Sequence, residues 1–168
     1  MWILENCIIR RARKEDLAKI KNFMQSLSDF ERSYFSEEFE FFDSNSEVLI
    51  AEISEEIVGI AVIRFYSEKG RRHVANLLIT VKEELRGKGI GYNLNLVAEE
   101  VAQSKGVIKL KIETPTFNIY PISRAEIWGY CREAYLEKEF YLNGKYYDVV
   151  VLSKMLQAKV RFNNFLYD

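Results

Sequence analysis

Val81-Lys82-Glu83-Glu84-Leu85-Arg86-Gly87-Lys88-Gly89-Ile90-Gly91 decides how this chain is read. Before it, residues 73–81 form an apolar run that reads as a strand. After it, Leu94, Val97, Ala98 and Val101 recur at i, i+3, i+4 and i+7, one face of a helix, and Gly106 stands where a left-handed residue would end that helix. A glycine-rich turn between a strand and a helix start has a definite physical use. Glycines let the backbone turn tightly and approach a ligand, and the first helical turn offers N–H groups with no internal acceptor and about half a positive charge. Arg86 and Lys88 add two full charges, so the stretch is suited to cradle a diphosphate.

Spacing removes two phosphate-binding patterns. A dinucleotide fingerprint starting at Gly89 needs glycine or alanine at position 94, which is Leu94. A Walker A loop needs Ser or Thr after Gly87-Lys88, where Gly89 stands.

Working outward, residues 7–12 read as a first strand, and Leu17, Ile20, Met24 and Leu27 predict a helix over 14–30. Residues 31–46 mix Tyr34, Phe35, Phe39, Phe41 and Phe42 with Glu37, Glu38 and Glu40 without a clear period, and read as a mobile helix-loop stretch. Strands at 47–53 and 57–66 flank Ser54-Glu55-Glu56, a hairpin-like connection. Residues 107–113 alternate as a strand, 114–123 with both prolines read as a loop, and 124–134 as a helix. Residues 139–142 and 145–152 flank Asn143-Gly144, a strong hairpin signal. This order predicts an α+β (mixed α/β) sheet with helices on its faces, in a single domain over 1–168. The tail, 157–168, is apolar at Phe162, Phe165, Leu166 and Tyr167, which suits packing on its own domain or on a second subunit.

Composition narrows the function. The chain has 168 residues, 48% hydrophobic and 29% charged, enough for one buried core. With 24 basic and 25 acidic residues the net charge of −1 gives no general attraction for nucleic acid or an anionic membrane. Cys7 and Cys131 match neither a metal-ligand spacing nor a disulfide framework. No apolar run approaches a membrane span and no basic leader opens the chain, so a cytoplasmic protein without a metal is expected.

Arg86, Gly89 and Gly91 match the Arg/Gln-x-x-Gly-x-Gly/Ala signature of the GNAT acetyltransferases, and the chain resembles that family from about residue 8 to 156. Residues 73–81 look like the family's fourth strand, residues 129–135 resemble the Leu-Tyr-x-Lys-x-Gly-Phe segment of its last helix, and 140–152 its closing hairpin. The resemblance implies a mixed, mostly antiparallel sheet flanked by helices, with a bulged fourth strand and a V-shaped opening for acetyl-CoA. It implies that Leu78, Ile79 and Val81 lie at the acetyl carbonyl, and that Arg86, Gly87, Lys88, Gly89, Ile90 and Gly91 hold the cofactor's phosphates. Ser123 stands where an asparagine often contacts the cofactor, and Asn118 is the alternative.

The same resemblance implies acetyl transfer to an amine, small or protein-borne, and a homodimer is possible. Tyr130 becomes the candidate acid for the departing thiolate, since a thiol of pKa near 8.5 can take a proton from a phenol of about 10. The competing reading has Tyr130 cover the core with its ring. Many members place a glutamate in the fourth strand where this chain has Asn76, which cannot accept a proton. Glu113 is then the candidate base, or else a water chain serves and Glu113 is a plain strand-end carboxylate. The aromatic and acidic residues 31–43 are expected to wall the acceptor site and to suit a cationic amine. Asn76 also motivates an alternative, an acyl-CoA-binding sensor without turnover.

Overall fold

The computed structural model describes residues 6–33 and 42–156. In chain order the elements are β1 (Ile8–Arg11), α1 (Leu17–Gln25), α2 (Asp29–Arg32), β2 (Ser46–Ile53), β3 (Glu56–Phe65), β4 (Val74–Val81), α3 (Ile90–Ser104), β5 (Lys109–Pro115), α4 (Ile119–Ile127), β6 (Cys131–Leu142) and β7 (Lys145–Met155). The strands form one sheet in the order β1-β2-β3-β4-β5-β7-β6. Every pairing is antiparallel except β4 with β5. The expected mixed, mostly antiparallel architecture is therefore the one observed.

Alternating side chains give the sheet two apolar faces. On one, Leu49, Ala61, Ile63, Leu77, Leu110 and Leu152 pack with Leu94 and Ala98 of α3 and Ile122 of α4. On the other, Ile50, Ile60 and Val62 receive Ile20 and Phe23 of α1. Each of those two α1 side chains is nearly sealed from solvent, and such burial stabilises by roughly 1.5–3 kcal/mol. Both tight hairpins turn through two residues at positive φ, Ser54-Glu55 and Asn143-Gly144, the geometry that matches strand twist.

Four expectations need correction. The helix over 14–30 is broken, because Ser28 starts a new turn by a capping box: its Oγ accepts from the Glu31 N–H while the Glu31 carboxylate accepts from the Ser28 N–H. Residues 46 and 119 begin regular elements earlier than expected, and 34–41, with most of the aromatic and acidic wall, lie outside the described residues.

The last helix is Ile119–Ile127, not 124–134. Gly129 ends it at φ 93, with the Tyr130 N–H bonded to the Ala125 carbonyl at 3.0 Å and the Gly129 N–H to the Glu126 carbonyl at 3.1 Å. Residues 131–134 belong to β6. Lastly, β3 and β4 stay in unbroken register from Phe65/Ala75 to Gly59/Val81, so β4 has no bulge against β3; the sheet's first register shift falls in β2, at Ala51/Glu52.

Candidate active site

The parallel pairing of β4 with β5 covers Val74↔Lys109, Ala75↔Leu110 and Asn76↔Lys111, and then stops. Beyond it the strands part, because β5 follows β7 in register to Pro115↔Val149 while β4 follows β3 to Val81↔Gly59. The sheet is thus split from one edge of its centre, with α3 starting after the free end of β4 and α4 after the free end of β5. Both helix N-termini open on the mouth of the split. Their unpaired N–H groups and partial positive charge make it favourable for an anion.

Backbone alternation says which groups of β4 face the gap. The Lys82 N–H donates to the Val58 carbonyl at 2.9 Å, so residues 78 and 80, in the same register, also turn their peptide groups toward β3. Ile79 and Val81 turn theirs toward the gap, and the Val81 carbonyl accepts there from Arg86 Nε at 3.0 Å. Of the expected acetyl-site residues, Ile79 and Val81 can offer backbone groups; Leu78 contributes a side chain to the opposite face of the sheet.

The glycine-rich turn completes the mouth. Gly87 and Gly89 hold φ of 76° and 87°, a region costing an L side chain about 1–2 kcal/mol, and Gly89 is the residue that starts α3. The N–H groups of Ile90 and Gly91 fall in the first turn and have no acceptor within the helix. Arg86 does not stand idle: its guanidinium pairs with Glu31 of α2, and Thr80 Oγ1 donates to the same Glu31 oxygen at 3.0 Å. One residue earlier, Phe30 packs against Phe117 and Phe140, with centroids at 5.0 and 5.9 Å. The short α2 therefore crosses the split, tied to the β4 side by Glu31 and to the β5 side by Phe30. Sequence reading placed Glu31 at the start of the acidic acceptor wall and not in a strap across the split; the Ser28-x-x-Glu31 capping box was the signal for the turn that carries it.

Asn118 directly precedes α4, with Nδ2 donating to Thr114 Oγ1 at 3.2 Å, at the β5 side of the mouth. Ser123 lies one turn inside α4 and bonds back to the Tyr120 carbonyl at 2.9 Å, so Asn118 is the better placed of the two.

On the α1 face, a cavity of about 240 Å³ opens in front of the split. Val62, Arg64, Asn76, Leu78, Glu113, Glu139, Phe140 and Val149 line it among the described residues. Glu113 is partly exposed there and pairs with Lys111 at 3.0 Å. Asn76 donates from Nδ2 to the Tyr66 hydroxyl at 3.1 Å, while its buried Oδ1 has no partner, a deficit costing roughly 1–3 kcal/mol. Desolvation draws the Arg64 guanidinium below its ordinary pKa, with Asp43 opposing.

Tyr130 is not in this group. It is 2% exposed, and its hydroxyl donates to Asn95 Oδ1 at 2.9 Å inside the core. Asn95 Nδ2 passes to Glu99 at 2.7 Å, and Lys154 bridges Glu99 at 2.7 Å and the Trp128 carbonyl at 2.9 Å. Burial, then the Glu99 charge, holds the phenol far above its ordinary pKa. The geometry makes Tyr130 a satisfied core residue that joins α3 to β7, so the proton-donor assignment is withdrawn. His73 is structural at its backbone, its carbonyl accepting from the N–H groups of Ile108 and Lys109.

Comparison with known proteins agrees with this geometry. The family model for the acetyltransferase (GNAT) family matches residues 13–130. Curated protein sequences returned no match. Among solved structures, a GNAT-family acetyltransferase from Streptococcus pneumoniae is 26% identical, with a TM-score of 0.77 over 89% of this chain and 99% of that one. The structure of yncA from Salmonella typhimurium, solved with its cofactor acetyl-CoA, has a TM-score of 0.74 at 18% identity over 93% and 97% of the two chains. A spermidine N-acetyltransferase SpeG chimera from Vibrio cholerae and hSSAT has a TM-score of 0.74 at 22% identity over 90% and 96%. Those last two share the fold. With a family model matched over most of its length, the chain belongs to the GNAT family of acetyltransferases.

Proposed function

We propose that this protein is an acetyl-CoA-dependent N-acetyltransferase that delivers the acetyl group to a primary amine by direct attack on the thioester. The observation that carries the reading is the parting of β4 and β5 behind the glycine-rich start of α3. Acetyl-CoA supplies an activated acyl group, and the residues present fit it. Gly87 and Gly89 open the backbone to an approaching phosphate, the N–H groups of Ile90 and Gly91 face the mouth, and Arg86 and Lys88 add charge. Ile79 and Val81 hold backbone groups toward the gap, where an N–H donor favours negative charge building on the thioester oxygen. Asn118 stands on the opposite wall.

Glu113 takes the proton that an acceptor ammonium must lose, since an amine of pKa near 10 is charged at neutral pH and cannot attack. The nitrogen–carbon bond forms as the carbon–sulfur bond breaks. The attacking nitrogen's second proton passes to solvent, and the departing sulfur, stable as a thiolate near pH 8.5, takes one from solvent. No buried acid is required, which agrees with the position of Tyr130.

Incubation of the purified protein with acetyl-CoA and a panel of amines, resolved by mass, tests the reading. Acceptor-dependent gain of one acetyl group supports it. Acetyl-CoA binding with no acetylated amine across polyamines, amino acids, aminoglycosides and peptides favours the sensor reading instead, for which Asn76 in place of a strand carboxylate is the motive.

A further inference from the structure

We infer that the acceptor is a free amino acid, an amine that carries its own carboxylate, and that Arg64 selects it. The inference rests on the acetyltransferase reading and adds the chemistry of the second substrate. The cavity on the α1 face holds both signs of charge on one short line across the sheet. Arg64 and Asn76 are cross-strand partners in β3 and β4, Asn76 is paired with Lys111 of β5, and Glu113 follows two residues on, on the same face. Adjacent strands lie about 5 Å apart, so Arg64 and Glu113 flank Asn76 at a spacing that their side chains can close around a small zwitterion.

The two charged groups want complementary things. Glu113, with Glu139 on the same wall, favours an ammonium. A guanidinium carries five N–H donors in a planar fork, so Arg64 can keep its partners within the protein, feel the charge of Asp43, and still present donors to a substrate carboxylate. The rest of the described wall is apolar, from Val62, Leu78, Phe140 and Val149. A volume of about 240 Å³ accommodates one free amino acid. A polyamine or an aminoglycoside would have to set further positive charge beside Arg64, which like-charge repulsion opposes.

The test compares matched pairs with the full-length protein and acetyl-CoA: leucine with isoamylamine, and phenylalanine with phenethylamine, alongside spermidine and a lysine-bearing peptide. The expected result is acetylation of the amino acids with kcat/KM at least about 100-fold above their decarboxylated counterparts. Arg64→Gln and Arg64→Lys should shrink that ratio by 10-fold or more, chiefly through KM for the amino acid. Melting temperature in the presence of coenzyme A reports folding of the variants, and its further rise with added leucine should be lost in Arg64→Gln. Equal or better turnover of isoamylamine, spermidine or the peptide by the unaltered protein overturns the proposal while leaving acetyl transfer intact. A ratio unchanged in both variants overturns it too. If acetyl-CoA neither raises the melting temperature nor is consumed with any amine, the acetyltransferase reading falls and the proposal with it.

Discussion

Glu113 and Tyr130 separate at the level of single atoms. Glu113→Gln should lower kcat at pH 7 by about 100-fold or more, the usual worth of a positioned base, with little change in acetyl-CoA affinity; stopped-time assays with a fixed acceptor read it. Equal rates in the two proteins would remove Glu113 from the chemistry. Tyr130→Phe should leave kcat within a few-fold but reduce stability by about 1–3 kcal/mol in urea, because Asn95 Oδ1 loses its buried donor. The reverse pattern, a rate collapse at unchanged stability, would restore the acid role. Of the site residues, those in the glycine-rich turn were legible because a local backbone constraint writes itself into adjacent letters. Glu113 was legible only through a resemblance. Arg64 was not legible at all, and Glu31 only as a capping-box residue at the start of an acidic stretch, since the cavity and the strap across the split are made by residues far apart in the chain that only the fold brings together.

Among the elements, α3 and its cradle allow a sharp test. Gly89→Ala puts a side chain at φ 87, and the strain of about 1–2 kcal/mol falls where the backbone meets the proposed phosphates. Affinity for acetyl-CoA should drop about 10-fold, measured by calorimetry. A second test concerns β1. Arg10 donates to Asp16 at 2.7 and 2.8 Å and to Glu52 at 3.0 Å, tying β1 to the start of α1 and to β2. Hydrogen bonding from Arg10 holds the Asp16 carboxyl down to about 2. A depressed carboxylate stabilises above its unfolded pKa, so this contribution, roughly 2 kcal/mol, is complete above pH 4 and is lost as pH falls toward 2. Asp16→Asn should flatten the stability profile in that window and lower the plateau above it, as urea titrations at stepped pH would show. The element order itself was readable, and Gly106 ends α3 at φ 83 as its position suggested. The last helix was misplaced because both prolines were read as loop, whereas Pro121 fits a helix's first turn and Gly129 stands just past its end.

At the scale of the whole molecule, acetyl-CoA at 100 times its dissociation constant should stabilise the native state by about 2.7 kcal/mol. For a chain of this length that raises the melting temperature by about 5–10 °C, readable by scanning fluorimetry. No rise would count against the proposed cofactor. The global topology was legible because hydrophobic period and turn chemistry agree along most of the chain; the split at its centre was expected through the family resemblance alone, since it follows from β5 and β4 choosing different neighbours after Asn76 and Lys111. The two ends of the sheet carry a last consequence. One edge, β1, is only four residues long, and the other, β6, slips register twice against β7 and passes through Lys138 at φ 52. Short and broken borders are poor templates for a foreign strand. The protein should therefore resist fibril growth by border-to-border stacking, and any self-association should proceed through side-chain surfaces rather than by lengthening the sheet.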